Sequence, residues 1–135
     1  MDSYIAEEMN INKLTDELND RDNLFFLAWH NTEMAGYMKL RVNNEPKELK
    51  NNDPIELERI YVLRQHQGKN IGAALMGQCI AHAISNGHDV IWLGVWEHNH
   101  KAISFYKQWG FELFGAHPFI LGNDRQTDVL MKKSL

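Results

Sequence analysis

The sequence predicts a single mixed α/β domain, in which helices pack on a mixed sheet. Strand-like apolar runs alternate along the chain with segments whose apolar residues recur at helical spacing. A strand at 55–63, a glycine-bearing turn, a helix at 70–85 and a strand at 89–96 predict a right-handed β–α–β crossover. The 135 residues, of which 44% are hydrophobic, are enough to bury one core.

The elements before the crossover are predicted to be a helix and a hairpin. Apolar residues at helical spacing predict a first helix that ends near Asp20. Aromatic and aliphatic runs predict hairpin strands at 24–30 and 34–42. The asparagine-rich, charged stretch 43–53 is typical of an exposed loop.

The crossover helix and the strand after it have distinct apolar sides. The helix presents a wide apolar arc made of Ile71, Leu75, Met76, Cys79, Ile80, Ala83 and Ile84. In the strand at 89–96, Trp92, Gly94 and Trp96 are predicted to share one side. Gly94 is expected to leave a flat spot or a bulge there. A polar turn at 97–100 and a helix to Trp109 come next. A fifth strand is predicted to start at 111–114 and to continue at 119–121, with Pro118 at a bulge or an edge. A hairpin turn at 122–125 then leads to the last strand at 126–132.

Composition excludes some classes of function. The net charge of −4 argues against nucleic acid as a partner. The single cysteine, Cys79, and the lack of a long apolar stretch predict a cytoplasmic protein with no membrane partner. His98 and His100 are interpreted as surface residues rather than metal ligands, because no zinc-type motif contains them.

The turn at 67–72 is suited to an anion. The first N–H groups of a helix lack internal partners, and the helix dipole adds positive potential. Gly68 and Gly72 leave room for a ligand, and Lys69 adds a cation. The turn therefore predicts a pyrophosphate-type ligand, although it fits neither P-loop nor Rossmann spacing and by itself is also compatible with a plain strand–helix connection.

Three segments, 56–72, 92–99 and 101–111, resemble the GNAT N-acetyltransferase superfamily. Its pattern Asn-x-x-Ala-x-x-Phe-Tyr-x-x-x-Gly-Phe is met at every defined position of 99–111. Its turn pattern Gln/Arg-x-x-Gly-x-Gly/Ala is met at Gln67 and Gly72 but has Asn70 where glycine is usual. The resemblance implies a mostly antiparallel central sheet.

Within this superfamily, segments 57–62, 92–97, 115–117 and 126–128 look like the PaiA-type spermidine/spermine N-acetyltransferases. Members usually begin with a strand and a helix before the hairpin, whereas only one helix is predicted here, so the first strand and first helix look absent. We expect one N-terminally short acetyltransferase domain over 1–135. An unpaired sheet edge would favour a homodimer or a poorly stable monomer.

The resemblance implies acetyl transfer from acetyl-CoA, as cosubstrate, to a primary amine without a metal. A polyamine such as spermidine or spermine is the leading acceptor. A protein N-terminus or another small amine is the alternative within enzymes, and a catalytically idle acyl-CoA-binding module is the alternative outside them.

The resemblance also assigns roles to residues. Tyr106 would protonate the leaving thiolate, and Glu58 would take the amine proton while Glu56 binds a cation. Taken alone, Tyr106 is also compatible with a half-buried helix residue, and the two glutamates with the solvated face of a strand. The residues assigned to acetyl-CoA are Ile60, Tyr61, Val62, Gln67, Gly68, Lys69, Asn70, Ile71, Gly72, Asn99, Ala102 and Tyr106.

Overall fold

The computed structural model describes residues 20–135. The helix predicted to end near Asp20 lies outside these residues. The expected absence of a first strand and helix, the domain extent 1–135 and the homodimer stay predictions. The described elements are β1 Asn23–His30, β2 Glu33–Arg41, a 3₁₀ turn Lys47–Leu49, β3 Pro54–Val62, a 3₁₀ turn Arg64–His66, α1 Ile71–Ser85, β4 Val90–Trp96, α2 His100–Gln108, β5 Glu112–Leu121 and β6 Asp124–Ser134.

The strands form one sheet in the order β1-β2-β3-β4-β6-β5. Among the strands of residues 20–135, only β3 and β4 run parallel, and α1 connects them. The other neighbours are antiparallel. The predicted mixed, mostly antiparallel sheet with helices packed on it is therefore confirmed.

The main core lies between the sheet and the two helices. On α1 it contains Leu75, Met76, Cys79 and Ala83, and the partly buried residues of α2 pack against the same cluster. Ile84 is 59% exposed, so its place in the predicted apolar arc was wrong. It lies at the end of the helix, where the arc turns away from the sheet. We call the side of the sheet that meets α1 and α2 the helix face.

The opposite side of the sheet, which we call the far face, has a smaller apolar cluster of Leu49, Val90, Trp92 and Leu130. Ile91, Leu93 and Val95 belong instead to the main core, so the predicted division of β4 is confirmed. Leu49 also corrects the prediction for 43–53, because this loop folds into a 3₁₀ turn that buries a leucine.

The last two strands, β5 and β6, differ from their predicted bounds mainly in length. β5 is continuous from Glu112 to Leu121, with a register shift between Leu113 and Gly115. Pro118 is tolerated because β5 is at the edge of the sheet formed by residues 20–135, and the prediction also allowed an edge there. None of the helices within residues 20–135 has both the length and the apolar character needed to cross a bilayer.

Candidate active site

An opening separates β3 from β4 over the second half of both strands. Their parallel pairing joins only Pro54–Glu56 to Val90–Trp92. Beyond that point β3 stays paired with β2 as far as Val62, and β4 stays paired with β6 as far as Trp96. The strands therefore diverge while each keeps its other neighbour, and we call the resulting gap the β3–β4 opening.

A cavity of about 680 Å³ occupies this opening. Its walls come from β3, the turn before α1, the end of β4 and the start of α2. The lining residues are Ile60, Tyr61, Val62, Arg64, Gln67, Gly72, Val95, Asn99, Lys101, Ala102, Phe105 and Tyr106. Most residues predicted to bind acetyl-CoA from sequence thus meet at one cavity.

Several predicted residues lie outside that lining. Gly68, Lys69 and Asn70 belong to the adjoining turn, and Ile71 lines a separate, smaller hollow beside β1. Sequence reasoning missed Arg64, Val95, Lys101 and Phe105. The two basic residues could have been noticed, since each lies next to a segment already assigned to the ligand.

The turn before α1 leaves the helix start open. Asn70 adopts the left-handed conformation with φ 62° and ψ 21°, and its side chain makes no capping hydrogen bond. Asparagine tolerates this conformation better than most residues, so it can replace the glycine that is usual here. The first backbone bond within the helix goes from Ala74 N to Asn70 O. The N–H groups of 71–73 therefore lack helical partners.

The buried side chain of His66 links this turn to the start of β2. This side chain is 2% exposed, and Nε2 lies 2.9 Å from Glu33 Oε2. Lys69 Nζ lies 3.3 Å from the other ring nitrogen, Nδ1. An ammonium can only donate, so Nδ1 accepts and Nε2–H donates to Glu33. Lys69 therefore braces the turn as well as adding a cation to it.

The side chain of Asn99 both caps α2 and lines the cavity. Its Oδ1 accepts from Ala102 N at 3.2 Å and so caps α2. The same residue lines the cavity, where its amide N–H groups have no partner among the described residues. The cap fixes the direction of that amide.

Tyr106 lies on α2, packed between the rings of Phe105 and Phe111. Burial raises the pKa of Tyr106 to about 12, with a smaller contribution from the neighbouring Cys79 thiol. The phenol is therefore protonated at neutral pH and can donate a proton into the cavity that it lines.

Glu56 and Glu58 contact basic side chains and do not line the cavity. Glu56 Oε1 accepts from Arg41 Nε at 2.7 Å and from Asn44 Nδ2 at 3.1 Å. Glu58 is the extra residue where the β2–β3 register shifts between Lys39 and Leu40.

Glu58 is surrounded by three cations. Its Oε2 lies 2.6 Å from Lys39 Nζ, and its Oε1 lies 3.6 Å from Arg41 Nη1 and 3.8 Å from Arg59 Nη2. Both glutamates contact Arg41, which is consistent with their sharing one face of β3.

The comparisons with known proteins agree with this geometry. Residues 2–111 match the acetyltransferase (GNAT) family model. A Lactobacillus delbrueckii subsp. lactis protein described as an uncharacterized N-acetyltransferase is 36% identical over 135 residues, covering 100% of this chain and 78% of the relative.

Two solved structures have the same fold. The PaiA N-acetyltransferase from Thermoplasma acidophilum, solved with coenzyme A, is similar with a TM-score of 0.75 and 24% identity, covering 99% of this chain and 77% of that one. The ribosomal-protein-S18-alanine N-acetyltransferase from Escherichia coli has a TM-score of 0.74 and 22% identity, covering 90% and 75%. The chain belongs to the GNAT acetyltransferase family and is an N-acetyltransferase.

Proposed function

We propose that the β3–β4 opening binds acetyl-CoA and that the enzyme transfers its acetyl group to a primary amine. The observation that carries this proposal is the convergence of the predicted family positions on one cavity, where two strands part. When bound, acetyl-CoA supplies an acetyl group activated as a thioester. The relative solved with coenzyme A has the same fold, which supports the assignment of the ligand.

The cavity suits the chemical parts of this ligand. The strand segment 60–62 offers an extended edge to the pantetheine amides, in the manner of an added strand. Asn99 presents its amide to the same arm. The N–H groups at the start of α1 would receive the pyrophosphate, with Arg64 and Lys101 supplying positive charge.

Tyr106 is our proposed general acid. The amine nitrogen attacks the thioester carbonyl carbon, the C–S bond breaks, and Tyr106 gives its proton to the departing sulfur. The phenol is suited to this step because burial keeps it protonated at neutral pH. Glu58, with Glu56 binding a cation, stays a predicted acceptor of the amine proton, although its three cations compete for that carboxylate.

We propose a polyamine as the leading acceptor, supported by the PaiA-like segments and by the net charge of −4, which favours a polycation. A protein N-terminus is the second candidate, because the Escherichia coli neighbour is described as an alanine N-acetyltransferase.

A screen for thiol release from acetyl-CoA tests these alternatives with spermidine, spermine and short peptides as acceptors. Cys79 is buried, and burial raises its pKa to about 12, so the enzyme's own thiol adds little background. Release that needs a polyamine supports the proposal, and release with peptides alone favours the second candidate. Thermal stabilisation by acetyl-CoA without turnover on any amine would instead identify an idle binding module.

Removing the cavity cations should weaken acetyl-CoA binding through its phosphates. We expect the double substitution Arg64→Ala and Lys101→Ala to raise the Kd by about tenfold or more, since the loss of even one charge-assisted hydrogen bond costs about 1.5–3 kcal/mol. Isothermal titration gives the Kd. Lys107→Ala removes an exposed cation of α2 outside the cavity and is the matched control.

The same variants can be titrated with S-acetylpantetheine, which lacks the phosphates. Its affinity should be unchanged by the double substitution. An equal loss of affinity for both ligands would contradict the phosphate role of Arg64 and Lys101.

A further inference from the structure

The far face carries a row of three side chains beside the β3–β4 opening. Trp96 of β4 pairs with Asp128 of β6, and Asp128 pairs with His117 of β5. Directly paired residues in neighbouring strands point to the same face of a sheet. The indole of Trp96 is fixed by its Nε1, which donates to Gln126 Oε1 at 2.9 Å, and 45% of the residue is exposed.

The neighbouring row of paired residues on the far face consists of Gly94, Leu130 and Gly115, and we call the gap at Gly94 the notch. Gly94 pairs with Leu130, and Leu130 pairs with Gly115, so two of the three positions have no side chain. A Cβ placed at Gly94 would lie 3.7 Å from Asp128 Oδ2 and 3.6 Å from Leu130 Cδ2. The register of β4 with β6 is unbroken there, so Gly94 gives the predicted flat spot and not a bulge. Gly94 is exposed, so the Asp128 carboxylate lies beside a part of the far face that carries no side chain. Glu48 Oε2 reaches the other end of this row, 3.3 Å from a Cβ placed at Gly115.

This notch adjoins the cavity from the other side of the sheet. Gly94 precedes Val95, which lines the cavity, and both lie where β4 no longer pairs with β3. Tyr106 reaches the cavity from α2 on the helix face. A carboxylate on one face and a phenol on the other suit an acyl transfer, because the entering amine gives up a proton and the leaving sulfur takes one, so that a base and an acid are both needed beside the carbonyl carbon.

We propose that Asp128, with the Gly94 notch and the Trp96 ring, forms the amine-binding side of the active site. This assignment rests on the proposed function. Asp128 binds the ammonium group of the acceptor over Gly94 and takes its proton. The freed nitrogen pair then attacks the carbonyl carbon to give a tetrahedral adduct, and the C–S bond breaks as the sulfur receives the proton of Tyr106. The nitrogen loses its second proton through water to the Tyr106 phenolate, which restores the phenol. The exposed indole adds a cation–π contact for the same ammonium.

The electrostatics favour Asp128 over Glu58 for this role. Glu58 has three cations within 4 Å, so an incoming ammonium group would meet positive charge beside that carboxylate. Asp128 has no ion-pair partner within that distance in residues 20–135. Burial raises the pKa of Asp128, and the facing His117 opposes this shift. A carboxyl group of higher pKa is a better acceptor for a proton from an amine.

Asp128→Asn tests the assignment, because it keeps the shape of the side chain and removes the charge. We expect kcat/KM for the best amine to fall by about a hundredfold or more, while the acetyl-CoA Kd and the melting temperature stay unchanged. Glu58→Gln should lower kcat/KM much less. Asp124→Asn, at the exposed start of β6, is the control for loss of one negative charge.

Gly94→Ala is a second, independent variant. The added methyl group meets its neighbours at ordinary contact distance, so the fold should accept it while the notch is filled. KM for the amine should rise, with acetyl-CoA affinity unchanged. Undiminished activity of Asp128→Asn, or a parallel loss of acetyl-CoA affinity, would overturn the role assigned to Asp128. Either result would leave the proposed function standing. A wild-type enzyme without turnover on any amine would overturn the proposed function and this assignment together.

Discussion

Replacing Tyr106 with phenylalanine is expected to lower kcat by about a hundredfold or more, with acetyl-CoA affinity unchanged. The substitution removes one hydroxyl group and keeps the ring that packs between Phe105 and Phe111. Without that hydroxyl, the sulfur must leave as a thiolate or take its proton from water. The loss should therefore appear in kcat rather than in ligand binding.

Steady-state thiol release gives kcat, and isothermal titration gives the acetyl-CoA Kd. Tyr37→Phe, which removes a buried phenol outside the cavity lining, should keep kcat and serves as the control.

The pH dependence of kcat gives a further check. The pKa of Tyr106 is about 12, so the acid stays intact while an alkyl amine loses its proton around pH 10. Loss of the Tyr106 proton should therefore not limit wild-type kcat up to about pH 10, and an unchanged kcat for Tyr106→Phe would remove the residue from the acid role.

Gly36→Ala is expected to cost the largest amount of stability, about 3 kcal/mol of unfolding free energy. A Cβ at Gly36 would lie 2.3 Å from the backbone oxygen of Tyr61 and 3.2 Å from Val62 Cα. Both are backbone atoms of β3, so no side-chain rotation can relieve the contact. The strand must move, and it carries the residues proposed to hold the pantetheine arm.

Urea unfolding measures this loss. Gly77→Ala is the matched control, because Gly77 is an exposed residue within α1 whose added Cβ would meet nothing within 4 Å. There alanine should stabilise the helix by about 0.5–1 kcal/mol. Equal stability of Gly36→Ala and the wild type would show that β2 and β3 are not held as closely as described.

The sequence predicted the elements better than their mutual placement. Helical periodicity and apolar runs are local properties, so α1, α2 and the order of strands followed from them. The burial of Leu49 did not, because it depends on packing against Trp92 and Leu130, which are distant in the chain. The left-handed conformation of Asn70 explains why a departure from the family pattern is compatible with the turn.

The site was predictable as far as it is local. The turn at 67–72 and the segment 99–111 carry recognisable patterns, whereas the place of Asp128 beside Gly94 and Trp96 depends on strand register. A register shift at Glu58 is likewise invisible in an alternating pattern, yet it places this residue among three cations. Such features are set by long-range pairing rather than by local sequence.

Acetyl-CoA is proposed to occupy the β3–β4 opening, so a variant in which that opening is filled should bind acetyl-CoA more weakly. Ala102→Trp places a large ring in the cavity from the first turn of α2, whereas Ala81→Trp places the same ring on the exposed side of α1. Circular dichroism and melting temperature establish that both variants are folded. We expect Ala81→Trp to bind acetyl-CoA with the wild-type Kd and Ala102→Trp to bind at least about tenfold more weakly, a loss of about 1.4 kcal/mol or more. A folded Ala102→Trp variant with wild-type affinity would contradict the account.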